Sequence, residues 1–285
     1  MTPPKTQPLH DAGRVLSSLD NPHVKAARRL HRRAGRDEAR SFLAEGHNVV
    51  TAALASSWPV REVFVSADDD APGASPDLLA ACTDSGVPVR FASRQVIEAI
   101  ATTTTPQPVV AVVDYADTDL EDLDDGWDPV VVLAEVRDPG NAGTLVRSAV
   151  AAGAGAVIFI GGSVDPFGGK TVRSSAGTLF SCRIVRAASP NRVLGLLNEH
   201  GFVRIGTEAG AAVTPDDIDL TRPCALIFGN EAWGLPEVLR KGVDEVVGIP
   251  MPGPVESLNV GVAGSILLYE LSRQRRGAAL SSGSS

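Results

Sequence analysis

Val130-Val131-Val132-Leu133-Ala134-Glu135-Val136 runs directly into Arg137-Asp138-Pro139-Gly140-Asn141-Ala142-Gly143-Thr144-Leu145-Val146-Arg147-Ser148. The fold class turns on this stretch. Its first part is a continuous β-branched and apolar run, the pattern of a parallel strand buried on both faces. Pro139 and Gly140 then make a turn, Asn141 is the expected N-cap of a new helix, and Arg147 falls inside that helix. A buried strand leading through a short loop into a helix is half of a βαβ unit. Ala156 to Ile160, another continuous apolar run, supplies the next strand. Val203 to Gly206, Cys224 to Phe228 and Val246 to Ile249 add further strands, and Leu258 to Arg273 reads as a long closing helix. The expectation is an open, mostly parallel α/β sheet with helices on both sides, binding its ligand where the strands' carboxyl ends lead into loops.

Upstream of this region short β-branched runs alternate with helical patterns, which predicts a separate small α/β layered domain. Helices are expected over Val24 to Arg33, Asn48 to Ala55, Pro76 to Ser85 and Arg94 to Ala101. Strands are expected over Ser41 to Ala44, Glu62 to Ser66, Val87 to Phe91 and Val109 to Tyr115. The 285 residues suit two domains. The predicted layout is a flexible N-terminus (1–20), a small domain (21–114), an acidic linker (115–128), the larger α/β domain (129–276) and a flexible tail (277–285).

The whole chain carries a formal net charge of −8, which taken alone argues against a nucleic-acid partner. The distribution argues the other way. Between Asn21 and Arg40 stand Lys25, Arg28, Arg29, Arg32, Arg33, Arg36 and Arg40 against Asp37 and Glu38, whereas Asp114 to Asp128 is acidic without a single basic residue. The acidic run also holds Gly126 and Pro129 at its end, and so reads as a solvated linker. The three cysteines are widely spaced and are not grouped with histidines, which points to a reducing compartment and no metal site. No stretch is long and apolar enough to span a membrane and no hydrophobic leader opens the chain, so a cytoplasmic location is expected.

Three strand-exit loops concentrate polar side chains and turn residues. The first is the Arg137 to Ser148 segment. The second is Gly229-Asn230-Glu231-Ala232-Trp233-Gly234-Leu235-Pro236, and the third is Pro250-Met251-Pro252-Gly253-Pro254-Val255-Glu256-Ser257-Leu258-Asn259-Val260, with Ser257 as the expected cap of the last helix. Any one of them is ordinary loop punctuation. Three at one sheet edge, bringing amides, a carboxylate, a guanidinium and a hydroxyl, make a polar pocket. Two better-known motifs fail on spacing. Gly153-Ala154-Gly155 precedes its strand instead of following it, which excludes a dinucleotide fingerprint. Val164 occupies the glycine position that a phosphate-binding loop ending in Gly169-Lys170-Thr171 would need, so a nucleotide-hydrolysing enzyme is only a weak alternative.

Taken in order, Asn141-Ala142-Gly143-Thr144 with Arg147-Ser148, Phe228-Gly229-Asn230-Glu231 with Gly234-Leu235, and Ile249-Pro250-Met251 with Ser257-Leu258-Asn259-Val260 resemble the three signature motifs of the SpoU/TrmH family of RNA ribose 2′-O-methyltransferases. Lys170-Thr171-Val172-Arg173-Ser174-Ser175-Ala176-Gly177 also resembles the family. The first domain, through its basic helix, Phe42-Leu43-Ala44-Glu45-Gly46 and Thr105-Pro106-Gln107, is similar to the ribosomal-protein-like substrate-binding domain often attached to it.

The resemblance implies a trefoil knot in the C-terminal domain (the SPOUT fold), S-adenosylmethionine as cofactor and a homodimer. Sequence pattern alone would never suggest a knot. It also implies that Gly229, Asn230, Ile249, Met251 and Leu258 hold the cofactor. Arg147 matches the family's catalytic arginine. Because a guanidinium stays protonated in proteins, the expected role is to grip the target phosphate and stabilise alkoxide charge, with Asn141 and Asn259 positioning the ribose and the arginine. Glu231 is expected to orient the loop or to offset the cationic groups nearby, and Ser257 to cap the helix and touch the site. Arg28, Arg29, Arg32, Arg33 and Arg36 are expected to bind RNA phosphates. Large-subunit ribosomal RNA is the favoured substrate; transfer RNA, or a non-catalytic role as an RNA-binding assembly factor, are the alternatives.

Overall fold

The computed structural model describes residues 15–68 and 75–282. Its strands are β1 (Ser41–Glu45), β2 (Val60–Ser66), β3 (Val89–Ala92), β4 (Val109–Asp114), β5 (Val130–Ala134), β6 (Ala156–Ile160), β7 (Arg183–Ala187), β8 (Val203–Thr207), β9 (Cys224–Phe228) and β10 (Glu245–Val247). Its α-helices are α1 (Pro22–Arg29), α2 (Arg33–Ala39), α3 (His47–Leu54), α4 (Pro76–Asp84), α5 (Arg94–Ile100), α6 (Pro139–Ala151), α7 (Gly169–Ser174), α8 (Pro190–Glu199), α9 (Glu237–Gly242) and α10 (Val260–Ser282). The described residues divide into two compact units, one running to residue 116 together with 167–180, the other of residues 117–166 and from 181 onward.

In the first unit the sheet order is β1-β4-β2-β3. Strand β4 is antiparallel to both neighbours, and β2 and β3 are parallel. Side chains alternate between the two faces of a strand, and adjacent β1 residues serve separate clusters. Leu43 joins Val24, Leu30, Phe64, Val96 and Ile100 in one core. Phe42 joins an aromatic cluster with Trp58, Tyr115, Phe167 and Phe180, in which Tyr115 and Phe167 stack with centroids 4.2 Å apart. Phe167 and Phe180 come from the segment whose sequence lies far downstream. That segment is pinned by Arg173, whose Nη1 lies 3.0 Å from the buried Glu45 carboxylate. It turns at Gly177, where an added Cβ would sit 2.7 Å from Ala52.

Two expectations for this unit need correction. The single basic helix is broken into α1 and α2. At the corner Arg36 is buried and donates from Nη1 to the carbonyls of Leu30 (2.9 Å) and His31 (3.0 Å), which satisfies acceptors left open at a helix end. Gly35 lies so close to the Arg29 carbonyl that a Cβ would approach it to 2.1 Å, so the bend requires glycine there. The N-terminus expected to be flexible over 1–20 is tied down in its described part. Leu16 N donates to Phe91 O (2.8 Å) and Leu16 O accepts from Ser93 N (2.9 Å), extending the edge at β3. Residues 1–14 lie outside the described residues.

The second unit is a six-stranded sheet in the order β10-β8-β9-β5-β6-β7, with every neighbouring pair parallel. The edge strand β7 was not expected: Arg183 and Arg186 interrupt its apolar pattern, and Arg186 is paired with Asp117 at 2.8 Å. The acidic stretch is not a solvated linker. Leu120, Leu123 and Trp127 are buried in the core of this unit, set three and four residues apart on two short 3-10 turns (Leu120–Asp122 and Asp125–Trp127). Charge density concealed that amphipathic spacing. Several of the carboxylates bind arginines, including Glu121 with Arg192 (3.2 Å) and Asp128 with Arg275 (2.8 Å). The expected tail is also shorter than predicted, because α10 continues through Ser282; residues 283–285 lie outside the described residues.

Candidate active site

The polar residues of the three loops meet at the carboxyl edge of the parallel sheet. Helix α6 starts earlier than the sequence suggests: Asp138 is its N-cap, accepting from Asn141 N at 2.9 Å. Asn141 is therefore inside the first turn, and its side chain is free for longer-range bonds. Its Nδ2 donates to Glu231 Oε1 (3.0 Å), and its Oδ1 accepts from Asn259 Nδ2 (2.9 Å). Asn259 Oδ1 in turn accepts from Gly261 N (2.9 Å) and Val262 N (3.2 Å) at the start of α10, so Asn259, and not Ser257, caps that helix. Only this amide orientation satisfies the chain. The α10 N–H groups need the Asn259 oxygen, which turns its NH2 toward Asn141, whose own NH2 then faces the carboxylate.

Helices α6 and α10 pack so closely that a Cβ on Gly264 would stand 2.1 Å from Leu145 Cδ2. Ser148 and Ser265 bridge the same contact through their hydroxyls at 2.7 Å. Arg147 projects from α6 as an exposed side chain. Among the described residues it has no hydrogen bond or ion pair.

A cavity of about 360 Å3 opens beside this network, within the usual size range of small-molecule sites. All five residues expected to hold the cofactor line it: Gly229, Asn230, Ile249, Met251 and Leu258, with Glu231 and Ser257. Gly229 permits a very tight turn, since a Cβ would be 2.4 Å from the Gly234 carbonyl. Asn230 serves as wall and brace. Its side chain donates to Glu135 O (2.8 Å) and accepts from Ala232 N (2.8 Å). Thr207 and Glu208, at the exit of β8, also line the cavity; sequence reading missed them, although they follow a strand exit like the other three. Glu208 is held by Arg240 at 3.0 Å. The lining fits S-adenosylmethionine: close-approaching backbone at Gly229, apolar walls for a purine, and the Glu208 and Glu231 carboxylates to complement a cation.

The basic helices hold less free charge than their composition suggests. Arg29 pairs with Glu38 (2.8 Å), and Arg33 lies 3.6 Å from Asp37. Arg36 is buried as a brace, which removes it from the expected phosphate-binding set. Arg28 and Arg32 are exposed and make no side-chain hydrogen bond or ion pair among the described residues. No group of three His, Cys, Asp or Glu side chains among the described residues is placed to hold a metal ion, and no described helix is long and apolar enough to cross a membrane.

In the second unit a parallel sheet carries a polar network and a cavity over its carboxyl edge, which defines an α/β fold with a site for a small ligand; the first unit is a smaller α/β fold of its own. Comparison with known proteins narrows this class. Residues 128–269 match the SpoU rRNA Methylase family, and residues 21–111 match the MRM3-like substrate binding domain. The chain is 34% identical over 256 residues to the 23S rRNA (guanosine(2553)-2′-O)-methyltransferase RlmP of Bacillus subtilis, covering 90% of this chain and 98% of that protein. It is also 34% identical over 252 residues to the 23S rRNA (uridine(2479)-2′-O)-methyltransferase of Streptomyces viridochromogenes, covering 86% and 87%. The crystal structure of an AdoMet-bound rRNA methyltransferase from Sinorhizobium meliloti superposes with a TM-score of 0.80 at 32% identity, over 93% of this chain and 98% of that one. The chain belongs to the SpoU rRNA methylase family.

Proposed function

We propose that this protein transfers the methyl group of S-adenosylmethionine to a ribose 2′-hydroxyl in large-subunit ribosomal RNA. The observation that carries the reading is the Glu231–Asn141–Asn259 chain, which fixes three loops around the cavity, while the Arg147 guanidinium on the same helix as Asn141 has no partner among the described residues. The two relatives named for 23S rRNA act on a guanosine and a uridine, so the family reaction does not depend on one base.

The cofactor, when bound, supplies a methyl group already activated on a sulfonium. What remains for the protein is alignment and charge. Gly229, Ile249, Met251 and Leu258 hold the cofactor mainly through close backbone and apolar contact, with Asn230 bracing the wall. Arg147, permanently charged, binds the phosphate beside the target ribose and stabilises the oxyanion as the hydroxyl proton leaves. Asn141 and Asn259 hold the acceptor side in register, Glu231 orients Asn141, and Ser257 contributes a hydroxyl to the cavity wall.

Arg28, Arg29, Arg32 and Arg33 supply sequence-independent phosphate contacts. Val262, Ile266 and Tyr269 form an exposed apolar stripe along α10, at the spacing of one helix face, which supports a homodimer through that helix. The trefoil knot belongs to the same reading, and the substrate places the enzyme in the cytoplasm.

Replacing Arg147 with Ala tests the assignment. Turnover is expected to fall at least a hundredfold, while calorimetric affinity for S-adenosylhomocysteine stays within about twofold. A collapse of that affinity would place Arg147 on the cofactor side and overturn its role.

A further inference from the structure

Trp233 stands at the rim of the cofactor cavity and takes no part in the Glu231–Asn141–Asn259 network. Of the three tryptophans, Trp58 and Trp127 are buried, whereas Trp233 is 60% exposed at the lip of the cavity. A large aromatic surface left in water is unfavourable, yet this ring is held firmly in place. Its Nε1 donates to Glu135 Oε2 at 3.2 Å. The Arg137 guanidinium lies 5.0 Å from the ring centroid over one face, and Arg137 Nη2 is 3.6 Å from the Glu135 carboxylate.

The supports are themselves fixed. Glu135 has a left-handed backbone with φ 58°, and its carbonyl accepts from the Asn230 side chain at 2.8 Å. The turn that carries Trp233 is closed by reciprocal bonds between Asn230 and Gly234, at 2.9 and 3.0 Å. Two strand-exit loops thus cooperate to present one indole plane. A surface ring that merely filled space would need no such brace.

We propose that Trp233, backed by Arg137, is a stacking platform for an unpaired nucleobase of the RNA substrate at the mouth of the methyl-transfer site. The inference rests on the RNA reading above and adds to it a positioning residue and its ligand class. Bases stack on aromatic side chains whatever their identity, because each presents a π face. The guanidinium on the opposite face strengthens the platform by cation–π attraction and stands ready for a neighbouring phosphate. Glu231, two residues before Trp233 in the same turn, accepts from Asn141, so a base seated on the indole and a ribose aligned by Asn141 are registered by one short loop.

The burial of Trp58 and Trp127 makes intrinsic fluorescence a reporter of Trp233 in the full-length protein. Acrylamide should quench a component that Trp233→Phe removes. A short single-stranded oligoadenylate should shield that component, and S-adenosylhomocysteine alone should leave it accessible. In transfer assays on ribosomal RNA, Trp233→Ala should raise KM for RNA roughly tenfold or more with affinity for S-adenosylhomocysteine within about twofold; Trp233→Phe should retain most of the wild-type KM. Shielding by S-adenosylhomocysteine alone would assign the ring to the adenine of the cofactor. A ring inaccessible to acrylamide in the free protein would assign it to contact with a second copy of the chain. Either result, or an unchanged KM in Trp233→Ala, overturns the platform. Failure of the wild-type protein to methylate any RNA would instead overturn the functional reading, since the quenching arm needs no turnover.

Discussion

The basic corner of the first unit and the loop cluster beside the cavity are alike in sequence, each a run of polar side chains without an obvious partner. They use those side chains in opposite ways. In the loop cluster the neutral amides and one carboxylate satisfy one another, and the cation, Arg147, is left over. In the basic corner some cations are engaged, Arg36 by backbone carbonyls and Arg29 and Arg33 by exposed pairing with Glu38 and Asp37, while Arg28 and Arg32 make no such pair among the described residues. Charge counted along a chain is therefore a poor measure of charge available to a ligand.

The contrast can be broken most forcefully at Arg147. Beyond the loss expected in Arg147→Ala, Arg147→Lys keeps the charge and loses the planar fork; transfer should recover by no more than a small fraction. Substantial recovery would mean that charge alone suffices.

Next in size is Asn259→Asp. A carboxylate still caps α10, yet it cannot donate to Asn141 and instead faces its oxygen. Transfer should fall by about ten- to a hundredfold while the thermal midpoint stays within a few degrees. A large fall in the midpoint with activity spared would reduce the amide chain to a structural cap.

In the basic corner the expected effects are smaller and separate by type. Arg28→Ala with Arg32→Ala should weaken RNA binding and lower the slope of log affinity against log salt by between one and two, since each free cation contributes just under one. Arg29→Ala and Arg33→Ala should each change the slope less, because each releases a carboxylate. Arg36→Met should leave the slope intact and destabilise the first unit by about 2 kcal/mol, through the buried carbonyls it leaves unpaired. An altered salt slope with unchanged stability would return Arg36 to the RNA-facing set.

The smallest expected effect is acidic. Arg204 holds Asp244 through two side-chain bonds at 2.9 and 2.6 Å, and the hydrogen bonds from Arg204 depress the Asp244 carboxyl pKa below its ordinary value. A depressed acid stabilises the fold above its unfolded pKa, near 3.9, and that stabilisation disappears as pH falls through the lower folded value. The pair is partly exposed, so the contribution is at most about 1 kcal/mol. Asp244→Asn should lower the urea midpoint slightly at pH 7 and flatten its acid dependence below pH 4. A midpoint that responds identically in both proteins would remove Asp244 from the acid response.

The central strands were legible because both faces are buried, which leaves a continuous apolar run; β5, β6 and β9 all show it. Edge strand β7 was not, since one arginine of its pattern serves a distant aspartate. The cavity-lining residues could be read from loop composition at strand exits. The caps could not be placed to the residue: Asp138 and Asn141, or Ser257 and Asn259, compete within one turn, and the winner is fixed by bonds across 90 or 118 positions. Contiguity also misled. Phe167 and Phe180 belong to the aromatic cluster around Phe42, a partnership no local pattern encodes, and the acidic stretch hid three core residues under its charge.

The central claim is ribose methylation of large-subunit ribosomal RNA, and methyl-labelled S-adenosylmethionine tests it most directly. The protein would be incubated with separated 23S, 16S and transfer RNAs stripped of their modifications, and the label mapped by nuclease digestion. The account predicts label in 23S RNA at one nucleotide, resistant to alkaline cleavage on its 3′ side because the 2′-oxygen is methylated. Label on a base, or label confined to transfer RNA, would contradict it.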